Sequence, residues 1–347
     1  MRHLTRVGVP LIVMAAVGWY LLSTVNVGQL WSILDRTSWW LLATSIPIIL
    51  LSHVLRAERW ITLLHSDATP RFFKLFNGIM IGYAASTIIP RSGEVIRPLV
   101  VSLQSRMGFS VLMASVMVER VLDVLTLLFA VGLILVVYPE ALQMVIPGAT
   151  TTTIILTFAV PALVLTVLLL ATVFIDLERH LGGVLQRIHP TLARFAIKVF
   201  HSIREGAKVL TSPREWIHVG ISSILMWTLY ALPLYLVLEA MPWTHEMHFT
   251  LLDGFLLLVI TATGVTVAPT PGAVGVYQGF AQVAMVSLYG TTPTEGLAFG
   301  MVAWLLNYGV ALVVGGVCLA VELNGGLSWK QLTRGSSESQ PSPEPEA

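Results

Sequence analysis

Two short charged constellations stand inside an otherwise apolar chain. The first, Ser86–Pro98 (Ser-Thr-Ile-Ile-Pro-Arg-Ser-Gly-Glu-Val-Ile-Arg-Pro), carries two prolines, a glycine, two arginines and a glutamate in thirteen positions. The second is Glu119-Arg120-Val121-Leu122-Asp123, within the apolar run Ser110–Tyr138. Charge and irregular backbone are both costly at membrane depth, so neither belongs to a plain spanning helix. Pro90 and Gly93 free backbone groups, and a helix that starts after such a break aims its N-terminal dipole at anions. Arg91 and Arg97 add guanidinium forks that match phosphate. Glu94 and Arg97 are three apart, so a helical turn starting at Glu94 lets them pair. Glu119 and Asp123 are one turn apart, with Arg120 in reach of Asp123. A straight helix from Ser110 places Asp123 roughly 20 Å along. That depth calls for counter-charges, and Arg97 and Arg91 are the expected ones. On spacing alone, an interfacial salt bridge for Glu94–Arg97 and a charge lock between helices for Glu119–Asp123 stay open beside a ligand site.

Two further stretches bear on the same chemistry. Arg56 and Arg59 share a helical face before Trp60. The expectation here is a snorkelling anchor at the headgroup level, with substrate contact as the second reading. Ala268–Gly279 holds Pro269, Pro271, Gly272 and Gly275 but no charge. Thr270, Tyr277 and Gln278 offer hydrogen bonds there, and a kinked structural helix is the alternative. The nine histidines are scattered, no cluster has metal-ligand spacing, and the single Cys318 forms no internal disulfide. No metal or other cofactor is expected.

The elements that must position these residues are transmembrane. Of 347 residues, 55% are hydrophobic and 11% charged, with mean hydropathy +0.80; a soluble domain carries about 25% charge. Six stretches reach the length of about 20 residues that a spanning helix needs: Val7–Thr24, Ser38–Leu55, Ser110–Tyr138, Thr151–Ile175, Trp216–Leu238 and Gly296–Val321. The first follows Arg2, His3 and Arg6 as a signal peptide's apolar region would, but no cleavage signature ends it, and it reads as a retained helix. Leu75–Pro90 and Asp253–Tyr289 read as re-entrant or broken-helix hairpins.

Basic and non-basic loops alternate. Arg56–Lys74, Arg91–Arg106 and Asp176–Glu215 are basic, whereas Pro139–Thr150 and Ala240–Thr250 lack Lys and Arg. The positive-inside rule then puts both termini in the cytoplasm and opens the two breaks to opposite sides. Opposed breaks are what an inverted repeat in a transporter produces, though the residues they share are few, and that symmetry stays open. Residues 176–215 read as a cytoplasmic amphipathic segment whose basic stripe, Arg187, Arg194, His201 and Lys208, faces anionic headgroups. Residues 324–347, rich in Ser, Pro and Glu, read as a disordered cytoplasmic tail.

Arg56–Trp60, the core Pro90-Arg91-Ser92-Gly93-Glu94-Val95-Ile96-Arg97, Glu119–Asp123 and Pro269–Gln278 together resemble the lysylphosphatidylglycerol synthase transmembrane-region family, also called flippase-like, over roughly Val7 to Leu323. In two-part members of that family the membrane region flips an aminoacylated lipid that a cytosolic domain makes. The resemblance covers only the membrane region, so no lysyl transfer is expected. Gln278 stands where the family often has an acid.

The resulting expectation is an all-α polytopic protein of the bacterial inner membrane. About six full spans and two hairpins occupy residues 1–323. It moves a lipid, or lipid-linked molecule, with an anionic headgroup between leaflets. The resemblance implies a phospholipid or a polyprenyl- or hopanoid-type lipid as partner, and no nucleic acid. Arg91 and Arg97 bind phosphate; Glu94 and Asp123 hold them in the empty state or bind a cationic headgroup; Glu119 and Arg120 lock helices; Pro271, Gly272, Gly275, Tyr277 and Gln278 form the opposing wall, with Arg56 and Arg59 as further candidates. The alternatives are a lipid-modifying enzyme and a non-transporting partner of one. A homo-oligomer is also open.

Overall fold

The computed structural model describes residues 25–64, 68–137, 212–244, 246–268 and 270–328, with a few isolated positions besides. The expected helices over Val7–Thr24 and Thr151–Ile175, nearly all of the amphipathic segment and most of the tail lie outside the described residues, as does Pro269.

Every regular element described is helical: α1 (Val27–Arg36), α2 (Trp39–Leu64), α3 (Phe72–Ile88), α4 (Gly93–Ser102), α5 (Phe109–Val137), α6 (Pro213–Ala240), α7 (Leu251–Val267), α8 (Val276–Tyr289) and α9 (Pro293–Asn324). Three of them, α2, α6 and α9, are long and apolar enough to cross a membrane. At 29 residues, α5 spans about 43 Å. Apolar stripes on the outside fit that setting: Ile217, Ile221, Ile224 and Leu225 on α6, and Val313, Val317 and Val321 on α9, are exposed at helical spacing.

Local chemistry fixes the helix starts. Ser212 and Glu215 satisfy each other's backbone N–H groups ahead of Pro213, and Thr292 and Glu295 do the same ahead of Pro293. Thr250 donates its N–H to Asp253 at 2.7 Å. Asn324 ends α9 as its sequence suggests, with Gly326 at φ 103° and Leu327 N–H donating to Glu322 O at 3.0 Å.

Both interrupted segments are antiparallel helical hairpins. In the first, α3 turns back into α4 through residues 89–92, and Ser86 Oγ accepts from Gly93 N–H at 2.9 Å. The helices touch so closely that a Cβ on Gly93 would lie 2.1 Å from Gly82 O. Arg91 takes a left-handed φ of 64° at this tip. In the second, α7 turns into α8 through Pro271–Ala273, with Gly272 at φ 61°. The α7–α8 legs meet at Gly264 against Phe280 and at the base, where Tyr289 OH donates to Asp253 Oδ1 at 2.8 Å.

Helix α9 runs along both hairpins and fixes their relation. Its Gly296 and Gly300 press on Gln282 and Gln278 of α8. Further on, Trp304 Nε1–H donates to Gly272 O at the tip at 2.6 Å. Gly315 then presses on Met80 of α3. Near its end, Glu322 accepts from Asn77 and, at 2.7 Å, from Lys74 Nζ. The order along one continuous helix is thus base, tip, tip, base. The hairpins meet end to end with their bases at opposite ends of the molecule, and the Gly272 tip lies against Thr87. A π-helical turn at Leu305–Gly309 sits where the tips meet.

Candidate functional site

Half-way along the first hairpin, four arginines converge on two carboxylates. Helix α2 supplies Arg56 and Arg59, α4 supplies Arg97, and α5 supplies Glu119, Arg120 and Asp123. These positions lie on facing stripes because α2 and α6 both pack against α5, and α4 folds back beside it.

Glu119 Oε1 accepts from Arg56 Nη1 and, at 2.9 Å, from Arg97 Nη1. Asp123 accepts from Arg56 Nη2 at 3.1 Å and from Arg59 Nη2 at 2.6 Å. Arg120 Nη2 is 3.3 Å from Glu119 and 3.5 Å from Asp123. Arg59 Nη1 donates to Ser223 Oγ at 2.8 Å, and Arg56 Nε to Tyr230 OH at 3.0 Å. The Arg97 guanidinium stacks on Trp60, with Cζ 3.7 Å from the ring centroid. Trp60 is held in turn by Ser115 Oγ at 2.8 Å. His53 packs on Tyr83 and its Nδ1 has no partner among the described residues.

Several expectations are corrected by these distances. Arg56 and Arg59 are not interfacial anchors: α2 continues to Leu64, and both arginines are buried, at 3% and 0% exposure. Carboxylates from α5 reach them there, and paired guanidiniums let the helix run on. The carboxylate that holds Arg97 is Glu119, not Asp123 or Glu94, because α4 docks one turn before Asp123. Arg91 is exposed and Glu94 half-buried, on the tip side of the cluster, and neither makes an ion pair among the described residues.

The second hairpin's candidates form a separate group. Gln278 Oε1 accepts from Gly275 N–H at 2.8 Å, capping its own helix. Tyr277 is buried edge-on to Tyr308, and its hydroxyl has no partner among the described residues. Pro271 and Gly272 lie against the first hairpin's tip. Ser115, Ser223 and Tyr230, which complete the arginine cluster, sit in apolar runs, and the sequence carries no signal for them. Among the described residues no group of acids, histidines and cysteine is arranged to hold a metal.

A buried cluster of this kind inside hydrophobic helices defines a membrane protein with a polar centre. The model of the lysylphosphatidylglycerol synthase TM region matches residues 7–315, and the chain belongs to that family. It is a multi-pass membrane protein, and the match takes in no synthase domain. No curated protein and no solved structure matches it significantly.

Proposed function

We propose that the protein moves a lipid with an anionic headgroup between the leaflets of the bacterial inner membrane. The observation that carries this reading is the cluster of four arginines and two carboxylates, buried among membrane helices beside the first of two opposed hairpins. Ionisable groups at such depth mark a ligand pathway or a helix lock. A lock needs matched charges, and this cluster has more cations than anions. Hairpins that meet tip to tip from opposite ends support alternating access, since each closes one half of a path. In this reading the first hairpin re-enters from the cytoplasm and its base, with Arg71 and Lys74, faces that side. Arg97 and Arg120 receive the headgroup, Glu119 and Asp123 hold the guanidiniums between cycles, and the Pro271–Gln278 tip forms the far wall.

The test is leaflet exchange in proteoliposomes that carry a fluorescent anionic lipid in both leaflets. A membrane-impermeant quencher bleaches only the outer pool, so a translocating protein drives quenching beyond half. Quenching that stops at half in vesicles containing folded protein rejects the reading. Altered headgroups in the extracted lipid would point instead to a lipid-modifying enzyme.

A further inference from the structure

We propose that the arginine cluster selects a phosphate dianion, a phosphomonoester or diphosphate headgroup carried on a membrane lipid, over a monoanionic phosphodiester. The inference rests on the reading of the cluster as a headgroup site.

Among the described residues Arg56, Arg59, Arg97 and Arg120 face only Glu119 and Asp123, an excess of two positive charges. Glu94, the nearest acid along α4, pairs with none of them. The aromatic and hydroxyl groups that line the cluster, Trp60, Tyr83, Tyr230 and Ser223, are neutral. Uncompensated charge at low dielectric is costly, and a bound counter-charge relieves it. A monoanion leaves one charge over; a dianion closes the balance.

The donors for that anion are in place. Arg97 meets Glu119 end-on, Nη1 at 2.9 Å from Oε1 and Nη2 at 2.9 Å from Oε2, and its Nε–H has no acceptor among the described residues. The second Nη2 hydrogen lies parallel to that Nε–H on the guanidinium's side-on edge. The ring of Trp60 covers one face of the guanidinium and holds the plane still. A planar edge of two parallel N–H groups is the geometry that takes two phosphate oxygens. The Nε–H groups of Arg59 and Arg120 are likewise without acceptors among the described residues. Arg59 and Arg97 are nine-tenths buried or more, so these are built donors rather than surface ones. Arg120 is the doorway: its side chain is 37% exposed, and its carboxylate contacts, at 3.3 and 3.5 Å, are loose.

The test uses the full-length protein and two lipids that differ by one methyl group and one charge, phosphatidic acid and phosphatidylmethanol. At about pH 8 the monoester is mostly dianionic, its second ionisation lying near ~6. In detergent micelles, phosphatidic acid should raise the melting temperature at concentrations at least roughly tenfold lower than phosphatidylmethanol does, the size expected for one extra charge pair toward the aqueous end of the dielectric range. In proteoliposomes its exchange should be faster by a similar factor. Arg120→Gln, which lowers the excess to one charge at the most exposed member, should narrow the preference to about threefold or less. Equal responses, or a preference for phosphatidylmethanol, would overturn the proposal. Selective stabilisation without exchange of either lipid keeps the dianion site and rejects translocation. Inorganic pyrophosphate that matches the phosphatidic acid shift would assign the site to a soluble anion and overturn the lipid assignment.

Discussion

Arg97 donates from Nη1 to Glu119 Oε1 at 2.9 Å, and this bond ties the returning leg of the first hairpin to helix α5. The two partners are not equivalent. Glu119 is shared among Arg56, Arg97 and Arg120, whereas Arg97 has no other carboxylate among the described residues. The surplus of cations makes the cluster sensitive to loss of an acid and tolerant of loss of a base.

Glu119→Ala should therefore destabilise the protein strongly. It leaves four guanidiniums around Asp123 alone, and breaking a buried pair in this way costs about 3–5 kcal/mol. Thermal unfolding in detergent should show a large fall in melting temperature, while the neutral but hydrogen-bonding Glu119→Gln falls less. A melting temperature unchanged in Glu119→Ala would mean that the acid does not hold the arginines.

Arg97→Ala should behave in the opposite way. Glu119 keeps Arg56 and Arg120, so the fold survives, and the melting temperature falls less than in Glu119→Ala, through the lost stacking on Trp60. Headgroup affinity, lacking a buried charged donor worth about 2–5 kcal/mol, should fall by 30-fold or more on the order-of-magnitude scale. Lipid exchange and lipid-induced stabilisation measure the loss. Normal exchange in a folded Arg97→Ala protein would exclude this guanidinium from the site.

Backbone contact in the first hairpin gives a third expectation. A Cβ on Gly93 would lie 2.1 Å from Gly82 O, with the Ser86 hydroxyl at 2.4 Å. Backbone cannot yield there without parting α3 from α4, so Gly93→Ala should cost about 1–3 kcal/mol or more. Gly132 on α5 has nothing among the described residues within 4 Å of that position. Gly132→Ala should be neutral or stabilising by about 0.5–1 kcal/mol through helix propensity. Melting temperatures of the two variants, compared in one detergent, decide the matter.

How far the sequence reached depends on whether the signal was local. Pro90, Gly93, Pro271 and Gly272 announced both breaks, because proline and glycine interrupt a helix wherever it packs. Partner choice was not local. Arg56 meets Glu119 across 63 residues of chain, and a basic pair at the end of an apolar run looks the same whether it snorkels or is buried. Tyr230 and Ser223 were invisible for the same reason: only the antiparallel packing of α2 on α6 brings them to the arginines. Glu94 misled because its i, i+3 spacing to Arg97 permits a pair, but Glu119 on the facing helix reaches the same guanidinium from deeper in the core.

The end-to-end arrangement of the hairpins makes the last prediction, which concerns sidedness. Along α9 the second hairpin's base comes first, the two tips follow, and Lys74 and Asn77 at the first hairpin's base come last. At 32 residues, α9 is about 48 Å long, enough to cross a bilayer core of about 30 Å. The two bases must then lie on opposite sides. Lys74 is unsuitable for labelling because it holds Glu322, and Gly290 because its φ of 65° favours glycine. Arg71 and Glu246 are exposed neighbours at the same two ends. In a background with Cys318→Ala, a membrane-impermeant thiol reagent applied to intact cells, from which the outer envelope barrier has been removed, should label Glu246→Cys. It should label Arg71→Cys only after lysis. The arginines of the first hairpin predict that order, since basic loops stay inside. Labelling of both from one side would require α9 to lie along the membrane rather than across it, and the opposed-hairpin path would fall with it.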